Sequence, residues 1–258
     1  MAYDVKECYD WGILGCGWLG QAFARHVSAQ GMTVWGSARS AQTLERVART
    51  GALPVKLDLN DSAQLAALPA CRFLLIALPP SAGLAHILRA KEACPSAQLK
   101  WSTCISSTSV YPDRPGLFSE EDAVSRESPH SGVRVLDMEQ ALDAPNMTFL
   151  RAGGLIGPER PLLRKTARPS DPERRLNVVH IEDVMRSVQF VTARHLAGPF
   201  NLISPLHRNR RECREGHRPP VDAAKLSRQH RLVSPARIEG CGYSFTFPDP
   251  ALFPDLHP

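Results

Sequence analysis

The chain has 258 residues, of which 43% are hydrophobic and 22% charged, so its composition excludes a disordered, collagen-like or coiled-coil protein. Its longest apolar run, residues 73–78, ends at two prolines and is far shorter than the roughly 18 residues that a membrane helix needs. Seven scattered cysteines without a CxxC pair favour buried thiols in a reducing compartment over disulfides or zinc. Since the N-terminal residues also lack the pattern of a signal peptide, the sequence predicts a soluble, cytoplasmic protein.

The formal net charge of +5 is concentrated in one segment. Residues 207–237 contain nine Lys or Arg and three Asp or Glu, so the rest of the chain is close to neutral. No aromatic residues alternate with the arginines of residues 207–218 to stack on bases, which argues against nucleic acid. A solvated face is the favoured interpretation, and a site for an anionic group of a substrate is the alternative. We expect the partner of this protein to be a small-molecule substrate, and we expect it to bind neither nucleic acid nor a membrane. The expected oligomeric state is a monomer or a homodimer.

Short apolar runs alternate with helix-like stretches along the chain. The pattern predicts strands at 11–14, 32–35, 53–57, 73–77, 101–105, 147–150 and 200–203, and helices at 19–29, 41–50, 133–142 and 182–193. Such alternation is typical of an α/β fold, a Rossmann-type doubly wound parallel sheet that binds ligands at the carboxyl ends of its strands. We expect an NAD(P)-binding domain over 1–203, with a Pro- and Gly-rich cap loop inserted at 152–176, and a small discontinuous C-terminal cap over 204–258.

A glycine-rich motif follows the first predicted strand and opens the first predicted helix. Its sequence GCGWLG fits GxGxxG, in which Gly15 permits the tight turn and Gly17 lets backbone N–H groups approach a pyrophosphate. Gly20 allows the helix to pack closely on the strand, and Trp18 and Leu19 lie at the helix N-terminus, which carries partial positive charge. The motif predicts a dinucleotide site, with a plain glycine-rich turn as the alternative.

The end of the second strand indicates which dinucleotide binds. An acid is usual here when the cofactor is NAD, whereas this chain has Ser37 and Arg39 and no acid. Because a guanidinium matches a phosphate, the sequence favours NADP, with NAD as the alternative and a purely surface role for Arg39 also open.

Two further strand ends complete the predicted cofactor site. Asp58 and Leu59 follow the third strand and are placed to flank an adenine, unless they form a plain turn with a capping aspartate. After the fourth strand, the predicted cofactor residues are Ala77, Leu78 and Pro79.

Four stretches together resemble a known superfamily. They are GILGCGWLG at 12–20, ISSTSVY at 105–111, LRAGGLIGPER at 150–160 and NVVHIEDV at 177–184. These motifs resemble the extended short-chain dehydrogenase/reductase superfamily, also called the NAD-dependent epimerase/dehydratase family, over most of residues 10–203. The ending GYSFTFPDP is similar to that of the YeeZ-type members. The resemblance implies the same fold and a nicotinamide cofactor.

The resemblance also implies catalytic roles for particular residues of this chain, although the chain departs from the family's pattern at one pair of positions. Ser107 matches the residue that bonds the substrate's reacting oxygen, although a hydroxyl that caps a strand end would look the same. The family's Tyr-x-x-x-Lys pair is absent from the chain. The matching stretch places His130 at the tyrosine position and Arg134 at the lysine position, four residues apart on one helical face. An imidazole can exchange a proton at neutral pH, so His130 is the candidate for the tyrosine's role. The alternative is that His130 is a surface residue at the start of a helix and has no chemical role.

The motif Asn-x-x-His-x-x-Asp is present as Asn177, His180 and Asp183. The resemblance implies that it fixes the loop and helix beneath the site, and we interpret His180 and Asp183 as structural.

The function that these features favour is an NAD(P)-dependent oxidoreductase or epimerase-type enzyme acting on a small polar metabolite, such as a sugar or nucleotide-sugar derivative. The alternative is a catalytically silent NAD(P)-binding sensor or regulatory protein, because the Tyr-x-x-x-Lys pair is missing.

Overall fold

The structure is a computed structural model, and it describes residues 7–122, 131–163, 171, 173–215 and 222–256. The strands in chain order are β1 (Tyr9–Leu14), β2 (Val34–Ala38), β3 (Leu53–Lys56), β4 (Cys71–Ile76), β5 (Trp101–Ser107), β6 (Gly116–Phe118), β7 (Met147–Ala152), β8 (Gly154–Ile156), β9 (Val178–His180), β10 (Gly198–Leu202) and β11 (Arg231–Val233).

The α-helices in chain order are α1 (Trp18–Ser28), α2 (Ala41–Ala48), α3 (Ser62–Ala66), α4 (Leu84–Ala93), α5 (Ser131–Leu142), α6 (Ile181–Ala193), α7 (Arg210–Glu215), α8 (Ala223–Leu226) and α9 (Ala236–Gly240). Across the described ranges, no helix is both long and apolar enough to cross a membrane.

Seven strands form the central parallel sheet in the order β10-β7-β5-β4-β1-β2-β3. The strand β1 pairs in parallel with both β2 and β4, and the parallel pairs β2–β3 and β4–β5 extend the sheet on either side. The chain therefore moves outward from β1 to β3 and then returns to β4 on the other side of β1. This reversal confirms the expected doubly wound fold and places its switch point between β1 and β4.

The chain divides into two compact units. The first unit comprises Met1–Ile105, Asp137–Phe149 and Val188–Gly198. Its core contains strand residues from both faces of the sheet, with Leu14, Leu74 and Ile76 on one face and Ile13 and Leu75 on the other, all of them buried. Continuous burial of this kind is what a parallel sheet covered by helices requires, and it explains why the sequence shows unbroken apolar runs.

The second unit comprises Ser106–Leu136, Leu150–Ser187 and Pro199–Pro258. It contains two short parallel strand pairs, β6 with β11 and β8 with β9. The strand β8 lies inside residues 152–176, where the sequence predicted a loop. Three residues are too few to show a period-two pattern, and β8 is instead defined by its pairing with Val178, Val179 and His180.

The basic segment is only partly the solvated face that the sequence favoured. Arg208 is buried and forms a two-pronged ion pair with buried Asp249, at 3.0 and 2.6 Å. Arg231 is half-buried and donates to backbone carbonyls, whereas Arg211, Arg214 and others nearby are exposed. Sequence composition alone does not separate these cases, because the buried arginines differ from the exposed ones only in the partners that the fold brings to them.

Candidate cofactor site

A cavity of about 550 Å³ lies at the carboxyl ends of β1, β2, β3 and β4, and its lining residues all belong to the first unit. Nine of the predicted cofactor residues line it, namely Gly15, Gly17, Ser37, Arg39, Asp58, Leu59, Ala77, Leu78 and Pro79. The first turn of α1 holds the other loop residues, Trp18, Leu19 and Gly20, next to the cavity rather than in its lining. This is the edge of the sheet at which doubly wound folds bind nucleotides.

The tight turn of the glycine loop depends on Gly15. Its φ of +88° is in the left-handed region, and an added Cβ would lie 2.9 Å from Leu78 Cδ2 and 3.1 Å from the Ala77 carbonyl. The Gly15 N–H donates to Ser37 Oγ at 3.1 Å, and the Cys16 N–H donates to the Ser37 carbonyl at 2.7 Å. The loop is therefore fastened to the end of β2, next to Arg39.

The second glycine opens onto empty space. A Cβ added to Gly17 would meet no atom within 4 Å, and Gly17 caps α1 without a side-chain hydrogen bond. The first turn of this 11-residue helix therefore lies beside open space that a side chain at residue 17 would fill. By contrast, a Cβ added to Gly20 would lie 2.8 Å from the Gly15 carbonyl oxygen, which shows the close helix–strand packing. The loop fits a pyrophosphate.

The segment after β2 supplies hydroxyl groups beside Arg39. Ser40 caps α2, since its Oγ accepts from the Thr43 N–H at 3.3 Å and lies 2.9 Å from the Thr43 hydroxyl. Arg39 is exposed, and all three side chains line the cavity. No motif of the sequence indicates Ser40 and Thr43 as cofactor residues, although a serine directly before a helix is a recognisable N-cap signal.

The end of β3 presents a charged carboxylate. Asp58 Oδ1 accepts from the Asn60 N–H at 3.0 Å and from Asn60 Nδ2 at 3.1 Å. These two hydrogen bonds, aided by the positive charge of Arg39 and by His86, lower the pKa of Asp58. Asn60 and His86 also line the cavity, and no sequence motif singled them out.

The cysteine of the glycine loop is not a nucleophile. Cys16 is buried, and burial raises the pKa of its thiol to about 12. The group therefore stays protonated at neutral pH and serves as a small packing residue, with Sγ close to Gly36.

Two of the three predicted catalytic residues, Ser107 and Arg134, belong to the second unit. Ser107 is half-buried at the end of β5, and its Oγ accepts from the Ser109 N–H at 3.1 Å, which leaves its own proton available to donate. Arg134 is exposed near the start of α5. His130 lies outside the described residues.

The loop that follows Ser107 is held by Arg231. The guanidinium donates to the Pro112 carbonyl at 2.9 Å, to the Tyr111 carbonyl at 3.4 Å and to the Thr108 carbonyl. Pro112 stands where the resembling family has glycine, and the three carbonyl contacts show what fixes the loop conformation in this chain.

Two residues of the Asn-x-x-His-x-x-Asp motif bind later parts of the chain. Asn177 donates through Nδ2 to the Arg231 carbonyl at 3.0 Å and accepts from the Val233 N–H at 2.9 Å. His180 is buried, with Nε2 3.0 Å from the Asp255 carboxylate. Both side chains thus anchor the C-terminal segment, which agrees with a structural interpretation of the motif.

The fold and the glycine loop define a Rossmann-type protein with a doubly wound parallel sheet. Similar solved structures include a proposed NAD-dependent epimerase/dehydratase from Methylobacillus flagellatus, with a TM-score of 0.72 and 24% identity over 93% of this chain and 94% of that one. Another is the human epimerase family protein SDR39U1, solved with NADPH, with a TM-score of 0.67 and 18% identity over 93% and 96% of the two chains.

No family model matches the sequence. Protein YeeZ of Escherichia coli K12 is 30% identical over 269 residues, which cover 94% of this chain and 97% of YeeZ. The chain therefore belongs to the same family as YeeZ.

Proposed function

We propose that the chain is an NADP-dependent oxidoreductase or epimerase-type enzyme acting on a small polar metabolite, such as a sugar or nucleotide-sugar derivative. The observation that carries the proposal is the cavity at the ends of four parallel strands, which is lined both by the open glycine loop and by Arg39. The similar human protein was solved with NADPH, which supports a nicotinamide cofactor of this kind.

The residues present suit NADP. Gly17 leaves room for a pyrophosphate at the N-terminus of α1. At the end of β2 a cation and two hydroxyl groups, from Arg39, Ser40 and Thr43, line the cavity, and no carboxylate stands where NAD-binding relatives usually bond the ribose. A ribose 2′-phosphate would be bound there by charge-assisted hydrogen bonds.

Arg39→Ala is expected to weaken NADPH binding tenfold or more, since a charge-assisted hydrogen bond contributes about 1.5 kcal/mol or more. Binding of NADH, which lacks the 2′-phosphate, should change less than about twofold. Isothermal titration of both cofactors measures the two effects. The control is Arg46→Ala, which replaces another exposed arginine. Arg46 lies on α2, outside the cavity lining. Wild-type protein that prefers NADH would contradict the assignment of NADP.

In the proposed reaction a bound nicotinamide supplies or accepts the hydride. The Ser107 hydroxyl donates a hydrogen bond to the reacting oxygen, and His130 takes up or delivers the accompanying proton. Arg134 supplies fixed positive charge for ribose hydroxyls, because a guanidinium does not lose its proton. These three roles follow from the positions that match the family's motifs.

A catalytically silent NAD(P)-binding sensor is the second candidate, and the missing Tyr-x-x-x-Lys pair favours it. No tyrosine in the described ranges replaces the missing one. Tyr111 is buried, donates to Asn201 Oδ1 at 2.7 Å and accepts from Arg151, while burial raises its pKa. Tyr9 and Tyr243 are buried as well.

Single-turnover oxidation of bound NADPH with a panel of carbonyl compounds separates the two candidates. An enzyme should oxidise the cofactor with at least one compound, and His130→Ala should slow that step by about 100-fold, a usual contribution of general acid–base catalysis. If no compound oxidises the cofactor, the sensor is supported. Turnover that is unchanged in His130→Ala would instead remove only the proposed proton carrier.

A further inference from the structure

One peptide unit connects Arg231 with the predicted catalytic serine. This unit joins Thr108 to Ser109. Its N–H donates to Ser107 Oγ at 3.1 Å, and its carbonyl accepts from Arg231 Nη2. Ser107 Oγ and Arg231 Nη2 therefore lie within about 8 Å of each other, since two hydrogen bonds and one peptide unit span the distance. All four residues belong to the second unit.

Arg231 also binds the far end of the same turn. Its Nε donates to the Pro112 carbonyl at 2.9 Å, and its Nη2 donates to the Tyr111 carbonyl at 3.4 Å. The Tyr111 N–H bonds back to the Thr108 carbonyl at 3.3 Å, so one guanidinium holds both ends of this short turn. A planar fork of donors suits this task, whereas a lysine ammonium is a compact point charge. The Thr108 peptide unit cannot rotate without breaking its bond to Arg231 and its bond to Ser107.

The backbone of Arg231 is itself fixed on both sides. Along one edge β11 pairs with β6, and Arg231 is in register with Gly116. Along the other edge the Asn177 amide takes the place of a further strand. It donates to the Arg231 carbonyl at 3.0 Å and accepts from the Val233 N–H at 2.9 Å. The guanidinium therefore projects from a well-anchored strand, as a positioning group requires.

The positive charge of Arg231 acts on Ser107 through the peptide unit between them. Hydrogen bonds in series polarise one another, so a cation on the carbonyl makes the N–H of the same peptide a stronger donor. That N–H in turn polarises the Ser107 hydroxyl, whose own proton is available to donate. Within the described residues, all side-chain hydrogen bonds of Arg231 go to backbone carbonyls, so no carboxylate there pairs directly with its charge.

We propose that Arg231 is a positioning residue that holds and polarises the Ser107 hydroxyl through the Thr108–Ser109 peptide unit. This role rests on the proposed function, since that hydroxyl is the group that bonds the reacting oxygen. A polarised hydroxyl is a stronger donor to this oxygen as negative charge develops on it in the transition state. Arg231 acts through Ser107 alone and lies outside the lining of the cofactor cavity.

The Ser109 amide, observed by NMR in the full chain, tests this role without a substrate. Arg231→Met keeps an aliphatic stem but removes the donors and the charge. The Ser109 N–H should then exchange with solvent about tenfold faster, because the turn opens locally more often. Its proton resonance should also move upfield, because the N–H is no longer polarised. Arg231→Lys keeps the charge without the fork and should give intermediate values, with exchange about threefold faster.

The control is Arg211→Met, which removes an exposed arginine of the same unit that pairs with Glu173 and should change neither observable. An unchanged Ser109 exchange rate and resonance in folded Arg231→Met would overturn the proposed role. If Arg231→Met does not fold, the same lack of change in Arg231→Lys would overturn it. Faster exchange throughout the second unit, with the Ser109 resonance unmoved, would also overturn it, because Arg231 would then serve only stability.

Single-turnover oxidation of NADPH adds a functional readout. With a carbonyl compound that oxidises the bound cofactor, Arg231→Met should lower the rate at saturation about tenfold. The half-saturating concentration of that compound and the affinity for NADPH should stay within about twofold, because the lost interaction acts in the transition state. A higher half-saturating concentration at an unchanged rate would overturn the positioning role. Absence of turnover with every compound would contradict the proposed enzyme, whereas the Ser109 amide would still decide whether Arg231 holds the serine.

Discussion

Gly17→Val is expected to reduce NADPH affinity by about 100-fold or more while leaving thermal stability nearly unchanged. In the folded chain a Cβ at Gly17 meets no atom within 4 Å, so the position is open to a small side chain. It would occupy the space beside the first turn of α1 that a pyrophosphate needs. Losing about two charge-assisted hydrogen bonds, each worth roughly 1.5–3 kcal/mol, corresponds to this loss of affinity.

Isothermal titration with NADPH and thermal unfolding measure the two halves of this prediction. The matched control is Gly240→Val in α9, since Gly240 also has open space around an added Cβ and no positive φ. It should change neither binding nor, beyond a small helix-propensity effect, stability. A Gly17→Val protein that still binds NADPH with wild-type affinity would show that the cofactor does not use the glycine loop.

The sequence was most informative where burial is continuous. The strands β1 and β4 contain apolar runs because both faces of the parallel sheet are covered there. Boundaries were less accurate: the sequence predicted β2 from residue 32, but Met32 is exposed and the strand is Val34–Ala38. The helix α3 has only five residues, which is too short for a helical period to be recognised.

The residues of the cofactor site also differ in how well the sequence predicts them. Gly15, Gly17, Arg39 and Asp58 were predictable because each follows a strand, and the carboxyl ends of parallel strands lie at one edge of the sheet. His86 was not predictable, because it lies on α4, for which the sequence showed no clear helical pattern, and a single histidine in a helix carries no motif.

The structure shows how the C-terminal residues 243–247 are bound to the rest of their unit. Asp183, the last residue of the Asn-x-x-His-x-x-Asp motif, is fully buried. Its Oδ1 accepts from the Thr246 N–H at 2.7 Å, and its Oδ2 accepts from the Phe247 N–H at 2.9 Å. The Tyr243 hydroxyl donates to the Asp183 backbone carbonyl at 2.8 Å and lies 3.2 Å from Oδ1. Burial and the Asp183 charge raise the pKa of Tyr243, which therefore remains a donor. The ending GYSFTFPDP is bound by a motif sixty residues earlier in the chain.

Asp183→Asn should therefore destabilise the protein by about 3 kcal/mol or more, since it removes a buried charge that is bonded on both oxygens. An amide has one acceptor oxygen, and its NH₂ group would face either the Thr246 or the Phe247 N–H, leaving two donors opposed. Because 1 kcal/mol shifts Tm by roughly 2–4 °C in a chain of this size, Tm should fall by about 6–12 °C.

Thermal unfolding and urea titration measure this loss. Glu182→Gln, which makes the same change of carboxylate to amide at the neighbouring half-exposed residue, should cost less than about 0.5 kcal/mol. If Asp183→Asn were as stable as Glu182→Gln, the carboxylate would not be what binds residues 243–247. A large loss confined to Asp183→Asn, with NADPH affinity unchanged at a temperature where the protein is folded, would establish the motif as a structural anchor separate from the cofactor site.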